Sequence, residues 1–96
     1  MIVTSLTALG EPTRLAAILI LADGSEHCVC ELMKRLDVTQ IRMSRHMQTL
    51  KQAGLVVDRR DAQWVRFRLN PAMPSEIRAV LDAVITAARA EERIAA

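Results

Sequence analysis

The chain has 96 residues, 51% of them hydrophobic, with one Trp, one Phe, no Tyr and a net charge of +2. Its longest apolar stretch, Leu15 to Ala22, is far short of the roughly 20 residues of a membrane span. The opening Met1-Ile2-Val3-Thr4-Ser5 lacks the basic region and cleavage site of a secretory signal, so a cytoplasmic protein with no membrane contact is expected. One domain over 1–96 fits this length, and a core so small is marginal alone, which favours one shared with a second copy.

Leu6 and Leu9 suggest a short first helix, about residues 4–9. Gly10-Glu11-Pro12 breaks it, and Pro12 suits the first turn of a second helix. There Leu15, Ile18, Leu19 and Ala22 recur at helical spacing, and Asp23-Gly24-Ser25 reads as the turn that ends it. Glu26 to Cys28 reads as a short edge strand, and Leu32, Met33 and Leu36 as the apolar face of a short third helix. After a tight Asp37-Val38 connection, Thr39 is a good N-cap for a fourth helix. Met43, Met47 and Leu50 give that helix an inner face, and Gly54 sits where a C-terminal cap belongs.

The period then changes. Leu55-Val56-Val57 is β-rich, Asp58 to Gln63 is polar, and Trp64 to Leu69 alternates; the segment 55–69 reads as a β-hairpin with a charged tip. Trp64 is expected to pin this hairpin to the body. Asn70-Pro71 and Pro74 stop the hairpin, and a long helix of about 74–93 follows. On it Ile77, Val80, Leu81, Val84, Ile85 and Ala88 form a wide apolar stripe, read as a subunit interface because so small a core leaves much surface to bury. The sum is an α+β, mostly α fold: about five helices plus a β-hairpin wing, a winged helix-turn-helix.

Charge supports a polyanionic partner. Residues 34–68 carry nine Lys or Arg against three Asp or Glu, and the rest of the chain is net acidic. The short third helix, tight turn and fourth helix, about residues 30–53, form a helix-turn-helix pattern, whose second helix enters the major groove of double-stranded DNA. With Met43, Met47 and Leu50 inward, Thr39, Gln40, Ile41, Ser44, Arg45 and Gln48 fall at its start or on its outer side. Gln pairs bidentately with adenine and Arg with guanine; Arg42 and Lys51 lie where phosphates are reached. Arg59 and Arg60, at the wing tip, supply a second contact. His46, next to an inward Met47, is expected to be a partly buried hydrogen-bonding residue.

Cys28-Val29-Cys30 stands immediately before this motif. Helix N-termini favour thiolate, and thiolates select soft ions. Within a helix, residues i and i+2 point about 200° apart, so the two sulfurs are expected to grip one ion only if the start of the third helix is extended or unwound. Such a distortion would bear on the reading helix beside it.

Three stretches together resemble the ArsR/SmtB family of metal-sensing repressors: Leu9-Gly10-Glu11-Pro12-Thr13-Arg14-Leu15, His27-Cys28-Val29-Cys30-Glu31-Leu32, and Ser44 to Val56. The Cys-Val-Cys stretch marks the arsenic-sensing branch. The resemblance implies a homodimer, built on the first and last helices and so including Leu6 and Leu9, that occupies a palindromic operator when ligand-free. It implies release by As(III) or Sb(III) at Cys28 and Cys30. Members of this branch commonly carry a third cysteine three residues on, where this chain has Met33.

Two other readings use the same residues. The cysteine pair would also serve a repressor that answers oxidants or persulfide, with zinc a weaker option because four ligands are usual. A winged-helix module that docks an acidic protein is the other. No nucleophile–base pair, phosphate loop or carboxylate pair points to an enzyme.

Overall fold

The computed structural model describes residues 1–95. Its elements are α1 (Ile2–Leu9), α2 (Pro12–Leu21), β1 (His27–Cys28), α3 (Val29–Leu36), α4 (Gln40–Gln52), β2 (Val56–Asp61), β3 (Trp64–Leu69) and α5 (Ser75–Ala95). This is the expected winged helix-turn-helix. None of these helices is long and apolar enough to cross a membrane.

Local chemistry sets most boundaries. At the start of α2, Glu11 is extended, its carboxylate accepts from the Arg14 N–H at 2.8 Å, and Pro12 fills a position whose N–H has no helical partner. Between α3 and α4, Asp37 takes a left-handed conformation (φ 54°), which Asp tolerates better than most residues. Thr39 then caps α4, its hydroxyl accepting from the Arg42 N–H. Past α4, Gly54 has φ 79°, the conformation that makes glycine the usual helix terminator.

The core lies where α2, α3, α4 and α5 meet the sheet. Ile18, Leu21, Leu32, Met43, Met47, Leu50, Leu55 and Leu81 are fully buried, so the inner face expected for α4 holds. The sheet is antiparallel in the order β1-β3-β2. His27 pairs with Phe67 and Cys28 with Arg66, so the residues before α3 form a third strand on the wing.

Three expectations need correction. The wing tip is only Ala62-Gln63: Asp58, Arg59, Arg60 and Asp61 pair with Phe67, Arg66, Val65 and Trp64. A complete ladder satisfies backbone groups that a polar tip would leave to water. Arg59 and Arg60 are therefore strand residues. Trp64 is not a core anchor; it remains 37% exposed at the start of β3. Among the residues assigned to a subunit interface, Leu9, Leu81 and Ile85 are buried in the domain's own core. Ile77, Val80, Val84 and Ala88 are partly covered, whereas Leu6 is 49% exposed on α1. Ile2 and Val3 extend that outward apolar face, one turn before Leu6, where the sequence reading placed no helix.

Candidate functional site

The outer face of α4 is a row of exposed side chains: Gln40, Ile41, Arg42, Ser44, Arg45, Gln48 and Lys51, with Thr39 exposed at its cap. Ile41, at 67% exposure, is a large apolar group held in water, as contact with a thymine methyl requires. Gln40, Ser44 and Gln48 share a cleft of about 190 Å³ with Asp58, Arg60, Gln63 and Trp64 of the wing. The fold thus brings Arg60 to the reading face.

The basic residues expected to touch DNA fall into two groups. Arg42, Arg45 and Arg60 have no carboxylate partner among the described residues. Lys51 is paired with Asp58 at 3.1 Å, and Arg59 donates from Nε to both oxygens of Glu26, at 2.7 and 3.0 Å. This second pair spans the sheet, from the residue before β1 to β2, and holds the Glu26 carboxyl below its usual range. Residues 33 positions apart carry no local signal of their pairing.

His46 is partly buried and hydrogen-bonded, as expected. The Arg14 guanidinium donates to its Nδ1 at 3.2 Å, to the Ala8 carbonyl at 2.7 Å and to the Thr7 carbonyl at 3.4 Å. One side chain of α2 therefore ties the end of α1 to α4.

The cysteine pair meets the condition its spacing set, an extended backbone at the start of the third helix. Cys28 lies outside α3, as its N-cap, with extended φ −67° and ψ 143°, and its Sγ accepts from the Cys30 N–H at 3.3 Å. The 200° divergence of helical i and i+2 positions therefore does not apply. The sulfurs converge and are joined as a disulfide, while Val29–Leu36 stays helical. No unwinding of α3 is needed to bring them together. Cys28 is buried and Cys30 partly open.

His27, beside the pair, is clamped by Asp23 at Nε2 and Glu31 at Nδ1, both at 2.8 Å, and Arg35 donates to the same Glu31 oxygen at 3.0 Å. Burial disfavours the charged ring, but hydrogen bonds and attraction from Glu31 and Asp23 outweigh it and raise the His27 pKa. The clamp fixes β1 to both the turn before it and the first turn of α3. Its spacing of four residues on either side of His27 was the available sequence signal.

Beyond Cys30 an open groove of about 510 Å³ is lined by Met33, Lys34, Val38 and Trp64. Trp64 thus borders both this groove and the cleft beside α4. No group of three or more His, Cys, Asp or Glu able to hold a metal occurs among the described residues.

An exposed reading helix, a wing that closes a cleft along it and a sulfur pair at the entrance to the motif define a winged helix-turn-helix transcriptional regulator. Residues 11–57 match the family described as "Bacterial regulatory protein, arsR family". Over 80 residues the chain is 42% identical to the arsenic resistance transcriptional regulator ArsR2 of Pseudomonas putida, covering 83% of this chain and 70% of that protein. Over 74 residues it is 39% identical to the arsenical resistance operon repressor of Escherichia coli, covering 77% and 63%. Among solved structures, HlyU from Vibrio cholerae superposes with a TM-score of 0.73 at 33% identity, covering 85% of each chain. The chain belongs to the arsR family of bacterial regulatory proteins. The relatives it matches are named as transcriptional regulators and repressors.

Proposed function

We propose that two copies of this chain repress transcription in the cytoplasm by holding a palindromic operator, and release it when As(III) or Sb(III) takes the thiolates of Cys28 and Cys30. α4 would lie in the major groove, Gln40, Ser44, Arg45 and Gln48 toward base edges, Arg42 and the helix N-terminus toward phosphate. The outward apolar face of α1 favours a two-fold dimer, and a two-fold dimer matches a palindromic site. The relatives named for arsenic resistance support the inducer class.

One observation carries the inducer reading: the two sulfurs meet at the N-terminus of α3, the helix packed against α4. The donor set fits a thiophilic trivalent ion through two bonds. Met33 holds the position one helical turn beyond Cys30, and its thioether is no thiolate, so the third bond goes to no further cysteine of the same copy. Arsenite titrated into the reduced protein on a labelled operator is expected to free the DNA. Cys28→Ser or Cys30→Ser should bind the operator normally and ignore arsenite; a fully inducible Cys30→Ser variant would refute the site.

The disulfide itself favours a second reading, in which oxidation of the pair is the signal. Release by peroxide but not by arsenite would select it.

A further inference from the structure

We propose that the cleft between α4 and the wing binds an oxopurine base, and that this ligand and the operator exclude one another. The exclusion rests on the reading of α4 as the helix that contacts DNA; the binding site does not.

The register of the wing builds the site. Asp58 pairs with Phe67 and Arg60 with Val65, and cross-strand partners lie on one face of a sheet. Residues two apart on a strand share that face as well. All four therefore point the same way. The cleft of about 190 Å³ that they line with Gln40, Ser44 and Gln48 shows that this is the side of α4. Phe67 and Val29, both buried, give the cleft a dry floor, and the exposed Trp64 ring borders it.

Size and charge narrow the ligand. Drug-sized molecules occupy roughly 300–1,000 Å³, so this cleft takes one or two fused rings, and aromatic side chains favour a flat system. Asp58 and Arg60 stand about 7 Å apart along β2 without pairing. The carboxylate is held by Lys51 of α4 at 3.1 Å, and Arg60 has no carboxylate partner among the described residues. Lys51 leaves lone pairs on the carboxylate for a ligand, whereas Arg60 only donates. A cation would meet the guanidinium and an anion the carboxylate. A neutral ring with a donor edge and an acceptor edge suits both. An oxopurine has these edges: its N1–H for Asp58, and O6 with N7 for Arg60, the two acceptors that arginine takes from guanine in DNA. Adenine inverts the pattern, with an acceptor at N1 and a donor at N6. Gln40, Ser44 and Gln48 both donate and accept, and so serve the remaining edge.

The same three side chains of α4 are those that would face base edges in the operator. A base in the cleft engages them and fills the space between α4 and the wing, so one copy holds either ligand or DNA. A ligand confined to the free protein weakens operator binding by the factor 1 + [L]/Kd, about elevenfold at ten times its Kd. This route to release uses neither sulfur.

The test uses the full chain, first without DNA. Hypoxanthine and adenine are titrated by calorimetry and by fluorescence of Trp64, the only Trp in the chain. Hypoxanthine is expected to bind with a change in Trp64 emission, and adenine at least tenfold more weakly. Asp58→Asn and Arg60→Gln should each weaken hypoxanthine at least tenfold. Gln48→Ala, on the exposed face of α4, should weaken it too, and keeps the test open should a wing variant not fold. Hypoxanthine at ten times its Kd should then weaken binding to a labelled operator about tenfold or more. No heat and no emission change, equal affinity for adenine, or affinity untouched by all three substitutions overturns the site. A ternary complex of protein, operator and hypoxanthine overturns the exclusion. A ligand-free protein that ignores the operator sinks the DNA reading of α4 instead, and leaves the base-binding result intact.

Discussion

Among the described residues Arg45 and Arg60 stand in water without a carboxylate, whereas Lys51 and Arg59 already have one. If Arg45 makes a bidentate contact with guanine, Arg45→Ala should weaken operator binding by about 1–3 kcal/mol and leave binding to random duplex much less affected. Fluorescence anisotropy on the two duplexes separates this from a phosphate contact, which predicts equal losses. Arg59→Ala should change operator affinity little, because its guanidinium is engaged by Glu26, and should cost little stability, since exposed ion pairs contribute little. The outward residues of α4 were legible because one inner face, Met43, Met47 and Leu50, fixes which side faces out. The division between paired and unpaired arginines was not: Glu26 and Arg59 meet only once β1 and β2 flank β3.

At the scale of elements, punctuation residues decided what could be read. Thr39 and Gly54 bound α4 by local hydrogen bonding and φ alone, and the chain around them contains all the information needed. Cys28, legible as the end of a short edge strand, lies just outside α3 and pairs with Arg66 of β3, and on that extended position turned the convergence of the sulfurs. The extent of β2 was likewise decided by its partner strand. Glu11 offers a test of the caps. Removing its carboxylate with Glu11→Ala should destabilise the domain by about 0.5–2 kcal/mol, read from a denaturation midpoint. Burial alone would raise the Glu11 pKa, but N–H bonds from Arg14 and Thr13, with attraction from His46 and Arg14, lower it on balance. A depressed carboxyl stabilises the fold above its unfolded pKa and loses that contribution as pH falls through the folded value. Glu11→Gln should therefore flatten the acid-side loss of stability; an unchanged slope would show that the cap carries no charge-dependent share.

For the whole molecule, the outward face of Ile2, Val3 and Leu6 is the surface a second copy would cover. Double substitution Val3→Glu and Leu6→Glu should leave the monomer folded, since both side chains are exposed, and should convert a dimer to a monomer in sedimentation. Operator affinity should fall steeply with it, because two half-sites are no longer engaged together. A dimer that survives both glutamates would place the seam elsewhere. For either form, binding should weaken linearly on a log–log plot against salt, with a shallower slope for the monomer as fewer phosphates are neutralised.

The guanidinium of Arg14 gives such a dimer its ruler. By gripping the carbonyls that end α1 and the ring of His46 on α4, it fastens the proposed seam to the helix that reads bases, with no loop between them to absorb error. The separation of the two reading helices is then a fixed length of the dimer rather than an adjustable one. Operators with one base pair inserted between half-sites should be rejected, and loosening that grip with Arg14→Ala should make the protein tolerate them.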